Sequence, residues 1–183
     1  MPLSSNTKNI IIILLWSCLF FFAGNGIIAL THPDEVFYVQ TAKEMITHNT
    51  WLVPYLFDGP NFEKPIFSYW LLRIAIEFFG LNSFSVRFFP ALFATLGVLG
   101  VYFLGRTAFA DRRKGFYAAL ILMSSALYVG LARTVFTDMF FAVWIELALI
   151  AFYRAYTDNP SKKAGLIAFW VFAGFAVLTK GLP

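Results

Sequence analysis

Residues 32–35, His-Pro-Asp-Glu, and residues 61–65, Asn-Phe-Glu-Lys-Pro, bring Asp34, Glu35, Glu63 and Lys64 into one polar stretch of an otherwise apolar chain. A carboxylate can accept a proton from a nucleophile or orient it, and an ammonium group can neutralise a developing anion. Charge near a bilayer is costly unless it is solvated, paired or used, so these four side chains are the first candidates for a site. Each also has a plain structural reading. Asp34 can cap a surface helix, worth about 1 kcal/mol, and Glu35 can sit in its first turn opposite the helix dipole. Glu63 and Lys64 can form a solvated pair worth roughly 0–1 kcal/mol. His32 and His48 flank the intervening stretch and can act as metal ligands or as interfacial side chains.

The elements that position these residues follow from composition. Of 183 residues, 60% are hydrophobic, 20% aromatic and only 13% charged, and Phe alone occurs 23 times. With a mean hydropathy of +0.72, this describes an all-α integral membrane protein and excludes a soluble domain. A span needs roughly 20 mostly apolar residues. Five segments qualify, at about 10–30, 88–104, 116–131, 139–156 and 165–180, the last ending on Lys180, whose stem can snorkel to the interface. The first apolar run is longer than the ~7–15 residues of a signal peptide. The lone Cys18 falls inside it and carries no disulfide information. The pI of about 9.3 is a topology signal, and nucleic acid is not an expected partner.

Whether residues 66–79 cross the membrane decides the orientation of everything after them. That segment is too short to span and places Tyr69, Arg73 and Glu77 on one helical face, with Phe67, Leu71, Ile74 and Phe78 largely on the other. It is expected to lie flat as an amphipathic surface helix. The N-terminus is then cytoplasmic, residues 31–87 form an extracytoplasmic loop, and Arg106, Arg112, Arg113 and Lys114 fall inside, as the positive-inside rule asks. Within the loop, Pro33-Asp34-Glu35 starts a second surface helix, with Val36, Val39, Ala42 and Ile46 at helical spacing through about His48. Asp58-Gly59-Pro60 reads as a turn that returns the chain to Glu63 and Lys64.

Asp34-Glu35, Trp51-Leu52-Val53-Pro54, Phe62-Glu63-Lys64-Pro65 and Tyr69-Trp70-Leu71 follow one another in this order. Val86-Arg87-Phe88, Thr137-Asp138 and Thr179-Lys180-Gly181 come after them. The set resembles the membrane glycosyltransferases of the GT-C type, the aminoarabinose-transferase and protein-mannosyltransferase superfamily, and covers nearly the whole chain. The resemblance implies a polyprenyl-phosphate-linked sugar donor, a lipid or protein acceptor, and inverting transfer on the outer face of a bacterial inner membrane. Such enzymes are usually much longer, so the chain is expected to be an N-terminal portion.

The resemblance also implies roles. Asp34 matches the catalytic acidic position, Lys64 the residue that holds donor phosphate, Glu63 a metal-contacting position, and Asp138 an acidic position of the second outer loop. Glu35 joins the catalytic group, and Tyr38 and Arg133 the substrate-binding group. Glu63 implies a divalent cation, zinc or magnesium, as a cofactor. One departure concerns the residue before Tyr38: aminoarabinose transferases commonly carry a basic residue there, and here it is Phe37.

Cleaving a sugar–phosphate bond passes through an oxocarbenium-like transition state with an already anionic leaving group. Lys64 can stabilise that charge. Asp34 serves as general base if the acceptor is a hydroxyl, and as an orienting group if it is a phosphate. Asp138 and Arg133 can instead form an ion pair near the start of the fourth span. Glu146, deep in that span, needs a polar partner or a proton. Its presence, with Arg133 and Lys180, keeps a transporter or channel component as an alternative. A noncatalytic fragment that binds donor lipid is a third reading.

Overall fold

The structure, a computed structural model, describes residues 5–30, 32–157 and 162–181; Thr31, where the expected outer loop begins, lies outside them. The chain folds as a helical membrane protein whose β structure, among the described residues, is a single two-stranded hairpin.

The first helix, α1 (Ser5–Ser17), runs into a π-helical turn at Cys18–Phe22 and stops there, short of the expected residue 30. The stop has a local cause. Gly24 takes φ +81°, the Asn25 amide donates to Phe21 O, and Arg133 donates to Phe20 O and Ala23 O. The last carbonyls of the helix thereby find partners outside it.

Helix α2 (Pro33–Thr47) and helix α3 (Phe67–Phe79) are the two helices expected in the segment after the first span. Between them, strands β1 (Tyr55–Leu56) and β2 (Gly59–Pro60) pair antiparallel around Phe57 and Asp58, both left-handed at φ 54° and 61°. The expected turn is thus a tight two-residue hairpin. The cap of α2 is His32, whose Nδ1 accepts the Asp34 N–H at 3.2 Å, so Asp34 does not fill the capping role open to it.

Helix α3 departs from the flat amphipathic reading, because its polar face is turned inward. Tyr69 and Arg73 are buried against α2, while Phe78 is 81% exposed. Burial is possible because the Arg73 guanidinium finds Met45 O, Thr50 O and the Glu77 carboxylate, and lies 3.9 Å from the centre of the Trp51 ring. At its start, Phe67 enters a ring cluster with Phe93, Phe140, Trp144 and Phe175.

Helix α4 (Ser83–Ala108) is capped by Asn82 and Ser85 in a reciprocal capping box, which starts it well before the expected residue 88. The expected third span is two helices, α5 (Arg112–Ser124) and α6 (Ala126–Ala132), bent by 68° where Ser125 takes extended backbone. A Ser-Ser step is a recognised site for such a break. Helices α7 (Thr137–Thr157) and α8 (Lys162–Lys180) pack as a hairpin. Three helices, α4, α7 and α8, are long and apolar enough to cross a membrane, and the bent α5–α6 pair makes a fourth span if counted as one. Asn6–Phe22 is a shorter apolar helix. Close approach relies on small residues, as expected where helices pack in lipid. A Cβ added to Gly105 would lie 2.9 Å from Gly115 Cα, and one added to Gly165 2.7 Å from Ala155 Cβ.

Candidate functional site

A cavity of about 490 Å³ opens where the start of α2, the stretch after β2, the start of α7 and the end of α8 converge. Asp34, Tyr38, Glu63, Lys64 and Asp138, five of the residues singled out from sequence, line it. Proline at the first position of α2 and the His32 cap fix the helix start, which leaves the Asp34 side chain 60% exposed at the cavity. Asn61 Oδ1 accepts the Glu63 N–H at 3.2 Å, an Asx-type turn that sets the backbone leading into Glu63 and Lys64.

Glu35 and Arg133 do not line the cavity. Glu35 points the other way, is 1% exposed, and forms an ion pair with buried Arg87. Arg133 is taken up by the carbonyls at the end of the first helix, so the expected Arg133–Asp138 pair does not form. Asp138 pairs instead with Lys180, Oδ1 to Nζ at 2.6 Å.

Four polar lining residues were not among the site residues expected from sequence: Lys180, Tyr69, Asn61 and Thr137. Lys180 closes an apolar run, where a snorkelling lysine is the ordinary reading, and its partner lies 42 residues earlier. Tyr69 belonged to a face expected to meet water. Phe37, Leu56 and Phe136 supply an apolar wall.

The rings of Tyr38 and Tyr69 lie 5.8 Å apart. Burial pushes the Tyr69 phenol up to about 12, helped by Tyr38 and Glu63. Burial also raises Tyr38, partly opposed by the Thr137 hydroxyl and reinforced by Asp138, Asp34 and Glu63. Both phenols therefore stay protonated at neutral pH and can donate to a ligand oxygen. Lys64 makes no hydrogen bond or ion pair among the described residues, so its ammonium is available to an anion.

A second layer holds the cavity wall. Glu44 accepts from Gln40 Nε2 at 2.7 Å and from the backbone N–H groups of Phe57 and Asp58 at 3.0 and 3.1 Å. Burial would raise its carboxyl, but these hydrogen bonds prevail and hold it below the ordinary range. Trp70 Nε1 donates to Trp51 O at 2.6 Å, fixing the loop before β1. Among the described residues no three His, Cys, Asp or Glu side chains gather as a metal site. Glu63 alone does not supply the ligand set a resident divalent cation needs.

The family model described as dolichyl-phosphate-mannose-protein mannosyltransferase matches residues 9–182. The undecaprenyl phosphate-alpha-4-amino-4-deoxy-L-arabinose arabinosyl transferase 2 of Pseudomonas fluorescens (strain Pf-5) is 39% identical over 153 residues, covering 81% of this chain and 26% of its own. The undecaprenyl phosphate-alpha-4-amino-4-deoxy-L-arabinose arabinosyl transferase of Pseudomonas savastanoi pv. phaseolicola is 35% identical, covering 85% of this chain and 30% of its own. The fold matches the crystal structure of ArnT from Cupriavidus metallidurans bound to undecaprenyl phosphate with a TM-score of 0.89. That match is at 24% identity and covers 98% of this chain and 33% of the other. The chain thus spans about a quarter to a third of the length of the relatives it matches.

Proposed function

The chain belongs to the dolichyl-phosphate-mannose-protein mannosyltransferase family, and from that footing we propose that its cavity transfers a sugar from a polyprenyl-phosphate carrier to a membrane-presented acceptor. The observation that carries this reading is the meeting of Lys64, which has no partner among the described residues, with the exposed carboxylate of Asp34 in one cavity at the ends of two spans. A carrier anchored in lipid can present its phosphate there without leaving the bilayer.

In the proposed reaction the bond between the anomeric carbon and the phosphate oxygen breaks, its electron pair staying with the phosphate. Lys64 neutralises that charge as it develops. The acceptor oxygen forms the new bond from the opposite side, inverting the configuration, and when the acceptor is a hydroxyl its proton passes to Asp34. Tyr38 and Tyr69 donate to sugar or phosphate oxygens. Asp138 holds Lys180 at the rim, where the ammonium adds to the positive field that receives the carrier. A divalent cation at Glu63 would need ligands beyond those the described residues bring together. The acceptor is a lipid or a protein; the chemistry at Asp34 is the same for a hydroxyl of either.

Arg106, Arg112, Arg113 and Lys114 cluster at the end of α4 away from the cavity. The positive-inside rule puts that end in the cytoplasm, which sets the cavity on the outer face of a bacterial inner membrane and the N-terminus inside. The two arabinosyl transferase relatives are bacterial, in keeping with that membrane.

The test is sugar transfer from a panel of undecaprenyl-phosphate sugars by membranes containing the full natural polypeptide. Asp34→Asn should lower kcat by about 10²–10⁴ and leave donor binding intact, while Lys64→Ala should weaken donor binding. Transfer by Asp34→Asn at the parent rate would overturn the assignment.

A further inference from the structure

Beside the cavity, and outside it, lies a buried polar junction that the reaction does not use. Glu35 and Arg87 are 1% and 3% exposed. Arg87 donates through Nε to Glu35 Oε1 at 3.3 Å and through Nη2 to Oε2 at 3.2 Å, the two-point geometry that a guanidinium gives a carboxylate. Its remaining donors reach Ile28 O at 2.6 Å and Ala29 O at 3.0 Å. Glu35 Oε1 also accepts the backbone N–H of Val135 at 2.9 Å, across 100 residues of sequence.

One carboxylate and one guanidinium thus join four pieces of chain: the exit from the first helix, the first turn of α2, the first turns of α4, and the approach to α7. At this burial the two groups have no water to turn to, and Val86 and Val135 beside them belong to an apolar cluster with Val39, Ala42, Leu72 and Ile76. A buried ion pair of this kind adds little stability over an apolar pair of the same size. What it does supply is a fixed geometry, since every other arrangement leaves a charge or a backbone group without a partner.

The position of the junction gives that geometry a use. Asp34 immediately precedes Glu35, and Phe136, Thr137 and Asp138 follow Val135; all four line the cavity that Glu35 itself does not reach. Of the three carboxylates at the cavity, Asp34 and Asp138 are carried on separate helices, and Glu35 ties the backbone beside one to the backbone beside the other. We infer that the Glu35–Arg87 pair is a positioning device that sets Asp34 against Asp138 across the cavity. The inference rests on the reading of this cavity as a transfer site. A displacement near 1 Å at such a site costs about 10²-fold in rate.

The experiment uses the full natural polypeptide in lipid nanodiscs on a Cys18→Ala background, with spin labels at Val36→Cys on α2 and Ala142→Cys on α7, both exposed. Label-to-label distances are read beside transfer kinetics for the parent, Glu35→Gln and the paired variant Glu35→Met/Arg87→Met, which leaves no orphaned charge. The expected result is a narrow distance distribution in the parent that broadens in both variants. Alongside it, kcat should fall about 10–100-fold, with donor KM within about twofold of the parent. Parent-like distances and kcat in either folded variant would overturn the inference. So would equal losses in kcat and donor affinity, the mark of general damage to the fold. If the parent transfers none of the sugars while the distances still broaden, the transfer reading fails and the tether between α2 and α7 stands.

Discussion

Lys180 Nζ sits 2.6 Å from Asp138 Oδ1, joining the end of α8 to the start of α7 at the mouth of the cavity. Both side chains are nearly half exposed, 42% and 46%. An ion pair so open to water adds about 0–1 kcal/mol to stability, so its worth lies in where it holds charge. Lys180→Met is expected to leave the thermal midpoint within error of the parent while lowering kcat/KM for transfer about 10–100-fold. Asp138→Asn should do the same. The two together should cost little more than either alone, because groups that act as a unit are not additive. Additive losses in a double-mutant cycle would show that the two side chains act separately.

Glu44 makes hairpin formation pH-dependent. Phe57 and Asp58 hold left-handed backbone that non-glycine residues adopt at a cost, and the Glu44 carboxylate receives both of their N–H groups. These hydrogen bonds hold its folded pKa below the ordinary glutamate value. The stability it contributes is therefore fully present above that value and is lost as pH falls through the lower folded value. Protection factors for the amides of residues 55–59, each exchange rate taken against that of an unstructured peptide at the same pH, should be high at neutral pH and fall in acid as Glu44 takes up its proton. Glu44→Gln should show the low protection already at neutral pH, since an amide offers one acceptor oxygen where the carboxylate offered two. Protection that is undiminished in acid would mean that the hairpin is held by something else.

Three of the five expected spans, those that became α4, α7 and α8, were legible because long apolar runs have little else to become in lipid. Asp34, Glu63 and Lys64 stood out because charge is scarce in such a chain. What local pattern did not reveal was which way charged residues point. Arg73 and Glu77 share a helical face with Tyr69 and read as the wet side of α3. In the structure Tyr69 and Arg73 are inside and only Glu77 stays exposed, because carbonyls at Met45 and Thr50, distant in sequence, receive the guanidinium. Glu35 and Asp34, adjacent on α2, necessarily point about 100° apart, but which of them faces inward depends on Arg87, 52 residues on. The bend at Ser125 was hidden in the same way, since residues 116–131 keep their apolar character through it.

Arg73 is expected to tolerate no conservative exchange. Its donors meet Met45 O at 3.1 Å, Thr50 O and Glu77 Oε1 at 2.8 Å, and its plane lies over Trp51. A lysine ammonium has neither the fork nor the flat face to make these contacts together. Arg73→Lys should destabilise the fold by about 1–3 kcal/mol, the cost of leaving buried acceptors unpaired. It should also speed proteolysis within residues 48–54. Unchanged denaturation and proteolysis would assign the loop's order to Trp70 and its bond to Trp51 O.

Two glycines in the same bent span separate packing from helix propensity. Gly115 on α5 faces α4 so closely that a Cβ would lie 2.5 Å from Tyr102 O and 2.7 Å from Arg106 N, both backbone atoms that cannot swing aside. Around Gly130 on α6 a Cβ would meet nothing within 4 Å. In helix propensity alone alanine is better than glycine by about 1 kcal/mol at either place, so the packing term decides the sign. Gly115→Ala must push α4 and α5 apart, at a typical overpacking cost of about 1–3 kcal/mol. The separation also pulls on Tyr102 and Arg106, whose side chains bond Asn6 of α1 at 2.7 and 2.9 Å. Unfolding in mild detergent should therefore show Gly115→Ala clearly less stable than the parent and Gly130→Ala equal to it or slightly more stable. The reverse order would mean that α4 and α5 do not meet through their backbones at Gly105 and Gly115.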